Sequence, residues 1–264
     1  MLNVNSRLQN ESISDIISDY IQQLKNTPSN SDVRSDFIEL LCIDGQLERA
    51  DQQLSLLIQQ CPEYLVGGNN LRQLIHAAQA RVDFFNGNAT AKLLVGDQDS
   101  FQHFVELIFA RNQGLVEQVI HHTTQLDAKR KPAPLTVNGV AYDDCRDLDD
   151  LLAGYLEVFG TDGQYYLLPF SSIHRLQFMP ISSLVEMTWR KVDIDVIDGP
   201  SGDAFIPMTY LTSLTDAEKL GKETDWREIS STPVVIGLGQ KMWLVGEEAM
   251  AVMQCELIEG TAVN

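Results

Sequence analysis

Residues 32–62 read DVRSDFIELLCIDGQLERADQQLSLLIQQCP, and the placement of Gly, Ala and Pro within them sets the architecture of the first half of the chain. Val33, Phe37, Leu40 and Leu41 recur at helical spacing before Gly45, and Leu47, Ala50, Leu54, Leu57 and Ile58 recur after it. A glycine between two amphipathic segments ends one helix and lets the chain reverse into the next. Pro62 stops the second helix, because proline lacks the amide that a helix interior requires. Pro28 lies 34 residues before Pro62, which is the period of tetratricopeptide-type repeats. The small Ala50 suits the close crossing of two paired helices. Units of this kind stack into grooves that hold peptides of other proteins, so the first functional expectation is a binding protein.

Working outward, Ile13, Ile16, Ile17, Tyr20, Ile21 and Leu24 predict a helix over 12–26. Leu71, Leu74, Ile75, Ala78, Val82 and Phe85 predict a longer one, ended at Asn86-Gly87-Asn88. After a looser stretch over 86–98, Phe101, Phe104, Val105 and Ile108 form a last pair with Val116, Val119 and Ile120 around Gly114. Within the 32–62 unit, Asp32, Ser35, Glu39 and Cys42 share a face distinct from the Val33-Phe37-Leu40-Leu41 stripe, and they are the candidate wall of a partner groove.

Lys131-Pro132-Ala133-Pro134 breaks this pattern, and beyond it the period becomes that of strands. Asn138-Gly139 and Thr161-Asp162-Gly163 are hairpin turns flanked by apolar runs. Further strands are expected at 173–178, 192–197, 204–208, 234–236 and 241–245, with 250–257 ambiguous and a short helix over 182–189 capped by Ser182 or Ser183. The expected fold is α+β: a tetratricopeptide-like helical array over 1–130, then a mainly antiparallel, β-rich α+β domain over 131–264.

Composition narrows the partners. The 264 residues carry a formal net charge of −18. Residues 1–130 hold 16 acids against 10 bases, and residues 131–264 hold 21 against 9. A field of that sign repels phosphate backbones, so nucleic acid is excluded as an expected partner and a basic peptide fits better. No apolar run approaches the roughly 18 residues that span a bilayer, and the opening MLNVNSRLQNESISD has no apolar core of a secretory signal, so membrane insertion is not expected and the location is read as cytoplasmic. Cys42, Cys61, Cys145 and Cys255 are scattered without a C-x-x-C spacing and read as reduced structural thiols.

Patterns that could carry chemistry resolve into structure. Asp143, Asp144, Asp147, Asp149 and Asp150 are dense but interrupted by Arg146, without the Gly of a calcium loop, so helix-start acids, caps and a local Arg146 ion pair are expected. Gly237-Leu238-Gly239-Gln240 is half of a dinucleotide fingerprint and leads into a strand, so it is read as a turn. Gly199-Pro200-Ser201-Gly202 is likewise a turn, without the spacing of a nucleophile elbow. His121 and His122 are adjacent on one helix and cannot face one metal together, while His76, His103 and His174 lack metal-ligand spacing. No catalytic, cofactor-binding or metal-ligating residue is predicted.

Two blocks together are distinctive: FIELLCIDGQLERADQQL (37–54) and DDCRDLDDLLAGYLEVFGTDGQYYLLPFSSIHRLQF (143–178). With SLVEMTWR (183–190), FIPMTY (205–210), Thr224-Asp225-Trp226 and GLGQ (237–240), they make the chain resemble the ImpE/SciE/TagJ family of type VI secretion accessory proteins over essentially its whole length. The resemblance implies a cytoplasmic, non-enzymatic adaptor that binds the small subunit of the contractile sheath through a helix and links it to the recycling AAA+ ATPase. The alternative is an enzyme or small-ligand-binding protein with a site in the 134–264 half, around Asp143–Asp150. A third arrangement keeps the binding role and moves the interface from the 12–126 helical array, either to an open sheet edge of the strand-rich half or to a groove between the two halves.

Overall fold

The structure, a computed structural model, describes residues 4–260. Seven helices come first: α1 (Val4–Arg7), α2 (Ile13–Asn26), α3 (Ser31–Asp44), α4 (Leu47–Gln60), α5 (Leu65–Phe85), α6 (Gln98–Gln113) and α7 (Val116–Lys129), with the two-residue strand β1 (Lys92–Leu93) between α5 and α6. Gly45 and Gly114 close α3 and α6 in left-handed conformation, at φ +82° and +67°, which only glycine adopts without strain. Asn30 caps α3 by accepting the Val33 amide, and Asp97 caps α6 by accepting those of Asp99 and Ser100. Ala50 is fully buried where α4 crosses α3, so a larger residue there would overpack the pair at a cost of about 1–3 kcal/mol. α5 begins six residues before the apolar repeat at Leu71, because Pro62 opens a 3-10 turn (Pro62–Tyr64) that runs straight into it. Gly68 permits this: a Cβ there would lie 2.7 Å from Ile58 Cδ1 on α4.

Thirteen further strands follow among the described residues: β2 (Leu135–Val137), β3 (Val140–Tyr142), β4 (Cys145–Asp147), β5 (Tyr155–Gly160), β6 (Tyr165–Pro169), β7 (Ile173–Phe178), β8 (Trp189–Val196), β9 (Ser201–Pro207), β10 (Thr224–Glu228), β11 (Val235–Gly239), β12 (Met242–Val245), β13 (Glu248–Ala251) and β14 (Leu257–Gly260). The four-residue helix α8 (Asp216–Lys219) carries a complete capping box between Thr215 and Glu218. The main sheet has the order β1-β6-β5-β9-β8-β7-β14-β2-β3, with β13-β12-β4 and β10-β11 as smaller sheets. All pairings are antiparallel except β1 with β6, where the helical half lends an edge strand to the sheet.

Alternation along β5 divides the interior into two layers. Tyr155 and Phe159 face the helices, where Phe84, Phe104, Tyr165 and Trp189 join them in a core shared by both halves. Leu156 and Val158 face away, into a second core with Leu168, Phe170, Trp243 and Ile258. Phe84 stacks on Phe104 at 5.4 Å between ring centres, and Phe170 meets Trp243 edge-on at 5.2 Å.

Three local expectations change. In place of a helix over 182–189, a single 3-10 turn (Val185–Met187) precedes β8, which opens at Trp189. The Glu186 carboxylate folds back to accept the Ser182 amide and hydroxyl, while Trp189 pairs with Pro207, so the chain enters the sheet at once. The acidic run 143–150 starts no helix; it forms β4 and the turn after it. Gly237 and Gly239 lie inside β11, where they permit close approach: a Cβ on Gly237 would sit 2.2 Å from the Tyr210 ring, and one on Gly239 2.0 Å from the Glu223 carbonyl.

Candidate functional site

The face of α3 that carries Asp32, Ser35, Glu39 and Cys42 turns toward the strand-rich half. Asp32 is exposed at its outer end, Ser35 and Glu39 are half-buried, and Cys42 is buried. The Glu39 carboxylate accepts the amide of Val185 at 2.8 Å, so it caps the 3-10 turn across the junction of the halves. Burial raises its pKa, against the lowering effect of the amides at Val185 and Leu184. Beside this contact lies a cleft of about 420 Å³. Ser35, Ile38 and Glu39 of α3, Leu54 and Leu57 of α4, and Gly67, Leu71 and Leu74 of α5 form one wall; Thr161, Val185, Glu186, Lys191, Asp203 and Phe205 form the other. The floor is apolar and the rim charged, with carboxylates at Glu39, Glu186 and Asp203 and an ammonium at Lys191, which pairs with Asp203 at 2.8 Å. Gly67 leaves open space at the lip, with no atom within 4 Å of a Cβ placed there. Cys42 lines a separate, smaller pocket, and burial pushes its thiol well above the usual range, which leaves it a poor nucleophile.

A second polar assembly sits in the interior. Arg81 on α5 donates to both oxygens of Glu157 on β5, at 2.6 and 2.7 Å. Lys241 bridges Glu157 at 2.8 Å and Asp147 at 3.1 Å. Tyr165 donates to Glu157 at 2.8 Å and Tyr210 donates to Asp147 at 2.9 Å. Two cations thus balance two carboxylates. Burial alone would raise Glu157, but Arg81 and Lys241 more than offset it and hold the carboxyl at about 2. Asp149 would add a fifth charge. It accepts the amides of Leu151 and Gly237, and burial together with Asp147 pushes it up to about 7, against the weaker lowering by those amides and by Lys241.

The acidic run is therefore a set of separate fasteners. Asp144 holds Arg130 by two bonds, at 2.8 and 2.7 Å, and accepts the Ala133 amide, which pins the segment joining the halves. Asp150 accepts the Val235 amide and lies 3.5 Å from Arg146, the ion pair expected from the sequence. Asp143 is exposed. The free cysteines Cys145 and Cys255 are buried in the second core.

Sequence reasoning found Ser35 and Glu39 of the cleft, but not its opposite wall, and it missed Arg81, Glu157 and Lys241. Glu157 was legible in principle: β5 reads YLEVFG, with apolar residues on both faces and so no wet side for a carboxylate.

Residues 139–259 match the family model described as ImpE protein. Over 234 residues, 87% of this chain and 81% of the relative, the sequence is 24% identical to the type VI secretion system accessory component TagJ of Pseudomonas aeruginosa. Residues 139–259, just under half of the chain, are thus an ImpE domain, and the likeness to the type VI secretion accessory component extends over most of the chain. The crystal structure of protein VPA1032 from Vibrio parahaemolyticus has the same fold, with a TM-score of 0.93 at 40% identity over 98% of this chain and 96% of that one. The match to the ImpE model takes in Asp147 on β4, Glu157 on β5 and Lys241 just before β12. Among the described residues no helix is long and apolar enough to cross a membrane.

Proposed function

We propose that this chain is a non-enzymatic cytoplasmic adaptor of a type VI secretion system, in which the cleft between the helical array (1–130) and the strand-rich domain (131–264) receives a helix of the sheath small subunit. The observation that carries this reading is the cleft itself, which has an apolar floor, a mostly acidic rim and walls from both halves. An amphipathic helix with apolar anchors and basic flanks fits such a surface. Ser35 and Glu39 stand on its α3 wall, Asp32 lies exposed beyond it at the start of that helix, and Cys42 is buried farther along, in a separate pocket. The name of the Pseudomonas aeruginosa relative supports the secretion system, and family resemblance supports the sheath subunit and the recycling AAA+ ATPase as partners. The enzyme reading around Asp143–Asp150 loses weight because the buried groups there are engaged by one another and by backbone amides.

Fluorescence anisotropy with a labelled peptide of the sheath small subunit's N-terminal helix tests the proposal. Binding is expected, and Gly67→Trp, which projects a ring into the cleft from an uncrowded helical position, should weaken it at least about tenfold with an unchanged far-ultraviolet spectrum. No binding at high micromolar concentration would remove the sheath assignment, and equal binding by the variant would remove the cleft.

A further inference from the structure

Helices α6 and α7 pack as an antiparallel pair, and their contact brings together three side chains that the sequence keeps apart. His103 and Glu106 stand one turn apart on α6, and His122 faces them from α7. The two Nδ1 atoms are 3.2 Å apart, His122 Nδ1 lies 3.4 Å from Glu106 Oε2, and His103 Nδ1 lies 3.9 Å from the same oxygen. We propose that His103, Glu106 and His122 form a binding site for a divalent transition-metal ion of the zinc type, which cross-links α6 to α7.

Zinc binds imidazole nitrogen and carboxylate oxygen at roughly 2.0–2.2 Å in tetrahedral array, so its donors stand about 3.3–3.6 Å from one another. The observed triangle spans that range, and an ion at its centre needs only a small shift of Glu106. Two imidazoles and a carboxylate are the donor set of many three-residue zinc sites, in which water takes the fourth position. The side chains of the two histidines are mostly buried, at 12% exposure for His122 and 19% for His103, while Glu106 at 43% gives an ion a route from solvent. Burial also lowers the His122 pKa, which favours the neutral ring that a metal requires. Without a metal the two Nδ1 atoms face each other, and one must donate its proton to the other. A bound ion accepts a lone pair from each Nδ1, so the donor ring's proton moves to its Nε2, where the acceptor ring already carries its own.

The cleft plays no part in this site, and His121 next to His122 is not one of the three ligands. The histidine spacing hid it, because one ligand comes from the neighbouring helix, 19 residues from His103.

Titration of the full-length, metal-free protein with zinc chloride against a chromophoric chelator of micromolar affinity tests the site. One zinc per chain is expected. Affinity should fall on the order of a hundredfold in His122→Gln and His103→Gln, since loss of even a hydrogen-bonding partner of a ligand costs about 10–100-fold. Glu106→Gln on the exposed rim provides a variant that does not disturb packing, and it should weaken binding in the same direction. Cobalt substitution should give a visible spectrum of nitrogen and oxygen ligation without thiolate charge transfer. Failure of the wild-type chain to compete with the chelator would overturn the proposal. So would zinc affinity unchanged in all three variants, or a cobalt spectrum showing sulfur ligation.

Discussion

The interior assembly around Glu157 and the cleft beside Glu39 both place carboxylates and cations at the junction of the helical and strand-rich halves, yet they differ in what is left over. In the interior, Arg81, Lys241, Tyr165 and Tyr210 satisfy Glu157 and Asp147, and no charge is free to meet a ligand. In the cleft, Lys191 and Asp203 pair at the rim with side chains 36% and 58% exposed, and the apolar floor is open. Shifted ionisation is strongest in the interior, and open surface is found at the cleft. Perturbed pKa values point to a site only when the groups that carry them are accessible; here they belong to a fastening between α5 and the sheet.

That contrast is broken most severely by removing the shared anion. Glu157→Ala leaves Arg81 buried without a counter-charge and Lys241 with Asp147 alone, and breaking such a buried pair costs about 3–5 kcal/mol. Urea unfolding should show that loss, with the two halves losing structure together because Arg81 belongs to the helices and Glu157 to the sheet. A stability near that of the wild type would mean that the interior cations are solvated and the fastening is dispensable.

A finer test uses pH. Asp149 has a folded pKa raised to about 7, so the native state holds a proton that the unfolded chain releases near its ordinary value of 3.8. Its contribution is therefore fully present below about 4 and is lost as pH rises toward about 7. Glu157 runs the opposite way: with a folded pKa of about 2, it contributes fully above its ordinary 4.5 and loses that contribution as pH falls through 2. Asp149→Asn should remove the decline between about pH 4 and 7 and leave the acid limb in place. Denaturation midpoints across that range check it, and a retained decline would assign it to another group.

How much of this was legible follows from what local sequence controls. Gly45, Gly114 and Pro62 act on their own backbone, so the helix pairs and their turns could be read directly. The Asn138-Gly139 turn is equally local, with both residues at positive φ. The N-terminal start of α5 could not be read from the apolar period, because Leu65 and Val66 are exposed and Gly67, Gly68 and Asn70 line the cleft or the crossing with α4. β14, the last strand described, fills the place between β7 and β2, a pairing that joins residues far apart in the chain. The same limit applies to the sites. Ser35 and Glu39 follow from one helical face, but Lys191 and Asp203 come from the opposite wall, Glu157 meets Arg81 across 76 residues, and His122 meets His103 only when α7 folds onto α6. Composition and period describe one element at a time, whereas these sites are made by two.

The smallest effect should come from the cleft rim, and it separates stability from binding. Lys191 and Asp203 form an exposed cross-strand pair between β8 and β9, and such pairs contribute about 0–1 kcal/mol. Lys191→Met removes a charge and keeps most of the aliphatic stem, so the unfolding midpoint should move little. The rim becomes more acidic, however, because Glu39, Glu186 and Asp203 then line the cleft without an ammonium beside them. A basic partner helix should associate faster, chiefly through its on-rate and most clearly at low salt, since steering by exposed charge is screened within roughly 8 Å at physiological ionic strength. Stopped-flow mixing of the labelled sheath peptide with the Lys191→Met chain at two salt concentrations measures this. A slower on-rate would mean that the partner presents acid to the rim, and the choice of a basic helix as occupant of the cleft would have to be reversed.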